Sequence, residues 1–291
     1  MLIFGWHMSY SRFLSALVCL GLSCGLMFSS ASPRQELSSA KVYLGFDLNE
    51  YPGDDALPIL RKTFAFTSYW LSPPPGEKHT SWLGKRSLLQ RQGFGFVVLY
   101  NGRVSRNLKS TSDAKQKGAA DAASAVKLAH QEGFPPRTII FLDIEEGGRL
   151  TPAFHEYVHA WIDTLARAHF RGGAYCSGIP VEEGAGHSIT TANDLRGHLG
   201  GRKLTLWVFN DVCPPSPGCA FPQNPPAVAQ SGSADAALWQ FAQSPRQKPR
   251  TTQCASTYNA DGNCYAPGDS AHKWFLDANV ANSPNPSGPA E

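Results

Sequence analysis

The residues best placed to do chemistry stand in Ile139-Ile-Phe-Leu-Asp143-Ile-Glu145-Glu146, where an apolar run ends in carboxylates. A spacing of two in extended chain puts Asp143 and Glu145 on one face, about 6.6 Å apart. Like charges that close push one pKa upward, so one carboxyl stays protonated as a general acid while its neighbour remains an anion. Ile144 points the other way into packing, and Glu146 alternates away from the pair, toward solvent or a loop contact. Asp47 ends the run Val42-Tyr-Leu-Gly-Phe-Asp47, and Asp277 stands in Phe275-Leu-Asp277-Ala-Asn279. A barrel would bring these carboxylates to its C-terminal rim, where such barrels keep their active sites. A strand-end Asp is often only a loop cap; several of them at one rim point to a site.

A second constellation, His155-Glu156-Tyr-Val-His159, matches the H-E-x-x-H of zinc metalloproteases, in which two imidazoles one helical turn apart hold the metal and the Glu activates water. Against it, Phe154, Tyr157, Val158, Trp161 and Ile162 form the apolar face of the same segment. Both histidines are therefore expected on the polar side that a barrel helix shows to solvent. Ile162 and Leu165 also stand where the longer metzincin pattern needs Gly and a third His. Other signatures fail: there is no G-x-S-x-G elbow, and Gly84-Lys85-Arg86-Ser87 lacks the upstream Gly of a phosphate loop. No metal and no cofactor are expected.

Eight strand-like runs must position these groups: 42–46, 64–69, 94–100, 138–144, 172–176, 204–209, 237–241 and a short one near Phe275. The segment Asp113 to Gln131 places Ala119, Ala122, Val126 and Ala129 at helical spacing. Phe154, Tyr157, Val158, Trp161, Ile162 and Leu165 do the same in the next helix. Alternation of strand and helix up to about residue 176 predicts parallel βαβ units, whereas Leu204 onward shows strands separated by Pro- and Gly-rich loops. Both halves fit a single α/β, TIM-like (β/α) barrel with helices reduced or missing after the fifth strand.

Before the barrel, Arg12 followed by the apolar Phe13 to Phe28 and the small Ser29-Ser30-Ala31 reads as an export signal. This almost wholly apolar run of 16 residues falls short of the ~20 that span a bilayer. The expected organisation is a signal peptide over 1–31, a linker over 32–40, one barrel over 41–281 and a solvated, disordered tail over 282–291. Export to a secreted, periplasmic or cell-envelope location would let disulfides persist. The close pairs Cys213–Cys219 and Cys254–Cys264 are the natural staples, although crossed pairing stays open, and Cys176 reads as a buried core residue. Lys+Arg number 26 against Asp+Glu 23 and are scattered, so nucleic acid is not an expected partner. A monomer without a membrane span in the mature chain is expected.

Eight short motifs occur in register. They are Gly45-Phe46-Asp47, the Tyr100 closing Val97-Val98-Leu99-Tyr100, the Ala-rich helix before Gly133-Phe-Pro135, Asp143-Ile-Glu145, Gly173-Ala-Tyr175, Trp207, Leu238-Trp239-Gln240-Phe241 and Leu276-Asp277-Ala-Asn279. Over roughly residues 41 to 281 the chain thereby resembles the glycoside hydrolase-like domain family once catalogued as domain of unknown function 1906, and the related family 25 glycoside hydrolases, lysozymes of the Chalaropsis type. The resemblance implies a groove that cleaves peptidoglycan or a related polysaccharide of the cell envelope after N-acetylmuramic acid. In it Glu145 looks like the general acid and Asp143 like the partner that stabilises positive charge or orients the N-acetyl group. Asp47 and Asp277 look like the outer carboxylates, and Tyr100, Tyr175, Trp207, Trp239 and Gln240 like groove residues that hold sugar. The segment Leu48-Asn49-Glu50-Tyr51-Pro52-Gly53 is closer to the first family than to the lysozymes, which keeps a non-catalytic glycan-binding domain as the alternative, with the zinc protease behind it.

Overall fold

The computed structural model describes residues 41–211, 221, 224–246 and 259–289. The expected signal peptide and linker, and Cys213, Cys219 and Cys254 of the expected disulfides, lie outside the described residues. Eight strands close a TIM-like barrel in the order β1-β10-β9-β8-β5-β4-β3-β2. They are β1 (Tyr43–Asp47), β2 (Phe66–Trp70), β3 (Gly95–Asn101), β4 (Ile139–Asp143), β5 (Arg171–Ser177), β8 (Thr205–Phe209), β9 (Leu238–Ala242) and β10 (Asp277–Ala281). β6 (Val181–Gly184) and β7 (His187–Ile189) form a separate exposed hairpin that the periodicity did not announce.

β1 to β5, β8 and β9 run parallel around the wall, as apolar runs buried on both faces require. β10 departs from that pattern, pairing antiparallel with both β1 and β9. It also begins at Asp277 and not near Phe275. An antiparallel strand puts its first residue at the rim where parallel strands put their last. Asp277 consequently sits in register opposite Asp47.

The early half keeps its helices and the late half loses them. α3 (Thr111–Gln131) and α4 (Pro152–Arg167) are capped by Ser110 and Thr151, whose side chains accept the backbone N–H groups of Asp113 and Phe154. The buried stripe of α3 is Ala114, Gly118, Ala122, Ala125 and Ala129, so Ala119 and Val126 lie at its margin and not at its centre. Gly118 lets the two helices touch: a Cβ there would stand 2.2 Å from the Tyr157 carbonyl oxygen. On α4 all six predicted apolar residues are buried. The remaining helices are short: α1 (Leu57–Leu60), α2 (Arg86–Arg91) and α5 (Thr191–Gly197). Beyond α5 the described residues contain only a 3-10 turn at Val228–Ser231.

The expectation of a solvated tail fails for residues 282–289, which dock on the barrel. The Ser287 N–H donates to the Phe96 carbonyl at 2.8 Å, and the Ser287 carbonyl and hydroxyl oxygens accept the N–H groups of Ile139 and Val98, each at 2.8 Å. Asn285 Oδ1 accepts the Phe96 N–H at 2.9 Å. Gly95 makes room, since a Cβ would meet the Pro284 carbonyl oxygen at 2.0 Å. Polar, Pro-rich composition hid this role because the contacts are made by backbone and two short side chains. Ser287→Ala leaves the buried Val98 N–H without its acceptor, and should lower unfolding free energy by about 1–3 kcal/mol. Urea denaturation with an unchanged midpoint would contradict the docked arrangement.

Candidate active site

At the C-terminal mouth a cavity of about 720 Å³ is lined by Asp47, Asp143, Glu145 and Asp277, with Tyr175, Trp207 and Gln240 among its other walls. Asp47 and Asp143 are the last residues of β1 and β4. The Ile144 N–H donates to the Tyr175 carbonyl at 3.0 Å, which carries the β4–β5 pairing one step past the strand. That step keeps Ile144 buried and leaves Glu145 at the solvent edge. The sequence-based pair is therefore assembled with unequal members: Asp143 is 4% exposed and Glu145 reaches water. Glu146 turns away, its carboxylate accepting the Ser105 N–H at 2.7 Å and the Ser105 hydroxyl at 2.5 Å.

Amide side chains hold the other two carboxylates. Gln240 Nε2 donates to both Asp47 oxygens at 3.0 and 3.2 Å and reaches Asp277 Oδ2 at 3.4 Å. Asn279 Nδ2 donates to Asp47 Oδ1 at 2.6 Å. Each amide is oriented in turn: the Tyr175 hydroxyl donates to Gln240 Oε1 at 2.8 Å, and Trp207 Nε1 donates to Asn279 Oδ1 at 2.9 Å. Asp277 Oδ1 accepts the Ser244 N–H at 2.5 Å. Asn279 was not foreseen as a site residue, yet the period of two from Asp277 along β10 places it on the same face.

Burial is the largest cause of the titration behaviour at all four acids and raises every one. Asp47 is pushed up to about 6, held back from a larger rise by the amides of Asn279 and Gln240. Asp143 and Asp277 are raised well above the ordinary carboxylate range, Asp143 also by the neighbouring Glu145 charge and Asp277 also by the Asp47 charge. Glu145 is raised by burial and partly relieved by its hydrogen bond with Asp143. Asp143 Oδ2 is buried without a hydrogen-bond partner among the described residues. Chemically, the mouth can hold a proton on the Asp143–Glu145 pair while Asp47 stays an anion at neutral pH.

Two of the expected groove aromatics are elsewhere. Tyr100 points outward, its ring 5.5 Å from that of Trp161 on α4. Trp239 is buried, donating from Nε1 to the Asn210 carbonyl at 2.8 Å, and only its neighbour Gln240 faces the mouth. Strands buried on both faces carry no amphipathic phase that would distinguish inward from outward residues. Trp207 and Tyr175 do line the cavity, paired in register on β8 and β5 with ring centroids 4.9 Å apart.

The two histidines of the H-E-x-x-H segment also divide. His155 is buried and not solvent-facing, its Nε2 2.8 Å from Asp194 Oδ2. His159 Nε2 lies 2.5 Å from the His198 carbonyl and its Nδ1 3.3 Å from Glu156. Among the described residues the potential metal donors that gather are His155, Asp194 and His198, a set that excludes both His159 and Glu156. Cys176 is a buried free thiol whose pKa burial pushes up to about 12, and Cys264 is buried as well.

A carboxyl shifted upward on folding favours the folded state most where it is protonated. For Asp47 the displacement from 3.8 to about 6 corresponds to about 3 kcal/mol. This contribution is complete below about pH 4 and is lost as pH rises through about 6. Asp54, Asp113, Asp163, Glu183 and Asp261 shift the other way, but at surface positions of small weight. Unfolding free energy measured by urea titration should therefore fall between pH 4 and pH 7. A steady rise across that interval would contradict the buried cluster.

Residues 83–211 match the model of a family described as the Rv2525c-like, glycoside hydrolase-like domain. No curated protein matches the sequence. Among solved structures, an uncharacterized B. stearothermophilus protein is 18% identical with a TM-score of 0.52, covering 82% of this chain and 95% of its own. The Mycobacterium tuberculosis Tat-secreted protein Rv2525c, in complex with L-tartrate, is 15% identical at a TM-score of 0.46, with 83% and 95% covered. GHIP, a glycosyl hydrolase 25 of Streptococcus pneumoniae, is 13% identical at a TM-score of 0.49, with 82% and 86% covered. At such identities the likeness concerns the fold, while the matched segment, which contains Asp143 and Glu145, carries the likeness to glycoside hydrolase-like domains.

Proposed function

We propose that this protein is an exported glycoside hydrolase acting on peptidoglycan or a related cell-envelope glycan. The observation that carries the reading is the asymmetric Asp143–Glu145 pair, one member buried and the other at the solvent edge, both with raised pKa values. Glycosidic cleavage needs a proton on the leaving oxygen and anions beside an oxocarbenium-like sugar. Glu145, the member that reaches solvent, delivers the proton. Asp143 keeps that proton available through its hydrogen bond and faces the sugar's N-acetyl group. Asp47, held by two amides and largely ionised at neutral pH, faces the developing positive charge, with Asp277 behind it. Trp207 and Tyr175 give the sugar ring an aromatic wall.

Export rests on the basic, apolar and small-residue succession before residue 32, with a secreted or cell-envelope location following from it. The proposed staples are Cys213–Cys219 and Cys254–Cys264. Among the described residues no helix is long and apolar enough to cross a membrane.

One observation favours a second reading, a glycan-binding domain without turnover. Gln240 and Asn279 occupy the oxygens of Asp47, as they would in a purely structural cluster. Reducing-end release from peptidoglycan decides between the two. Wild-type protein should release ends, and Glu145→Gln and Asp143→Asn should each lose about 10²- to 10⁴-fold in rate with unchanged circular dichroism. Undiminished activity in Glu145→Gln would remove it as the acid, and no release by wild type would favour the binding domain.

A further inference from the structure

Away from the mouth, His155, Asp194 and His198 bring one donor atom each, an imidazole nitrogen or a carboxylate oxygen, within 4.8 Å of one another. None of the three lines the cavity. α4 supplies the first and α5 the second, and His198 caps the C-terminal end of α5.

The Asp194 side chain is fully buried, yet only one of its oxygens is satisfied. Oδ2 accepts the Leu150 N–H at 2.8 Å and lies 2.8 Å from His155 Nε2. Oδ1 has no hydrogen-bond partner among the described residues. Arg149 Nη1 comes to 3.5 Å of it, but that guanidinium is committed to Glu183, to which Nε and Nη2 donate at 2.6 and 2.8 Å. His198 Nδ1 stands 3.3 Å from Oδ1 while bonding the Asp194 carbonyl oxygen at 2.8 Å. A buried carboxylate oxygen without a donor is costly, and a cation between it and the two imidazoles would satisfy it.

The His155 and His198 rings stack at 3.9 Å, 12° from parallel. An imidazole lone pair lies in the ring plane, so parallel rings cannot both aim at one ion. His198 is the ring that can turn, its side chain being 45% exposed against 10% for His155.

We propose that His155 Nε2, Asp194 Oδ1 and His198 Nδ1 bind one divalent transition-metal ion of the zinc class, with His198 tilting out of the stack to do so. Two imidazoles and a carboxylate are donors that zinc takes, whereas calcium and magnesium call for oxygen ligands. Water completes the coordination at the exposed His198 edge. The set is distinct from the H-E-x-x-H pair, because His159 turns its Nε2 to the His198 carbonyl. The ion acts as a clip. α5, seven residues long, is too short to be stable alone, and it holds both ends of the turn after Glu145. Thr191 Oγ1 donates to the Glu146 carbonyl at 3.0 Å, and Asp194 takes the Leu150 N–H. Tying α5 to α4 through the metal therefore steadies that turn. The inference does not rest on the glycosidase reading.

The untagged full chain, freed of metal with a chelator, is titrated with Zn²⁺. The parent should bind one equivalent, with the His155 and His198 imidazole NMR signals shifting together and the unfolding midpoint rising. His198→Ala, at an exposed side chain, should weaken binding at least about 100-fold and abolish the midpoint rise, with metal-free circular dichroism unchanged. His159→Gln, whose amide can still reach the His198 carbonyl, should leave the affinity unchanged. No binding by the folded parent, or binding that His198→Ala does not weaken, would overturn the site. Binding lost in His159→Gln and kept in His198→Ala would assign the metal to the H-E-x-x-H pair and overturn it as well.

Discussion

Four carboxyl groups share the mouth of this barrel, and the contact that makes this tolerable is the amide clamp on Asp47. Gln240 Nε2 and Asn279 Nδ2 supply the donors that a buried anion requires. Neither amide is free to turn, because Tyr175 and Trp207 fix their oxygens. The clamp thus draws on β1, β5, β8, β9 and β10 at once. With Asp47 satisfied, the burden of charge repulsion passes to Asp143, whose Oδ2 has no partner among the described residues. A carboxyl in that situation keeps its proton, and a proton kept beside Glu145 is what acid catalysis needs.

The clamp depends on the direction of β10. In a fully parallel barrel the first residue of the eighth strand would lie at the far end from Asp47. Running antiparallel, β10 sets Asp277 opposite Asp47 and Asn279 opposite Gly45, and residues 273–275 just before it border the mouth. One reversal therefore supplies an acid, an amide and a rim. After β10 the chain emerges at the other end of the barrel, where residues 282–289 take up backbone donors of β3 and β4.

Much of this was legible because the decisive signals are local. The alternation Asp143-Ile144-Glu145 sets its own geometry, and the apolar runs ending in Asp47 and Asp143 announce buried strands with polar ends. The TIM-like barrel followed from alternation of strand and helix, and the loss of helices from the Pro- and Gly-rich second half. What failed depends on phase or direction. Trp239 and Gln240 are adjacent in a strand buried on both faces, so nothing in their types says which faces the mouth, and Tyr100 fails for the same reason. His155 misled because its burial is set by Asp194 on a different helix, a pairing 39 residues away. Ser287 was hidden by a composition that usually belongs to solvated chain.

The account turns on a mouth that stores a proton at neutral pH beside an anion. Carbon-13 NMR titration of the side-chain carboxyls, assigned through Asp47→Asn, Asp143→Asn, Glu145→Gln and Asp277→Asn, reads this directly. The account predicts that Asp47 titrates near 6 and that Asp143 and Asp277 titrate well above the ordinary carboxylate range, with Glu145 also raised. Four carboxyls titrating together near pH 4 would contradict it.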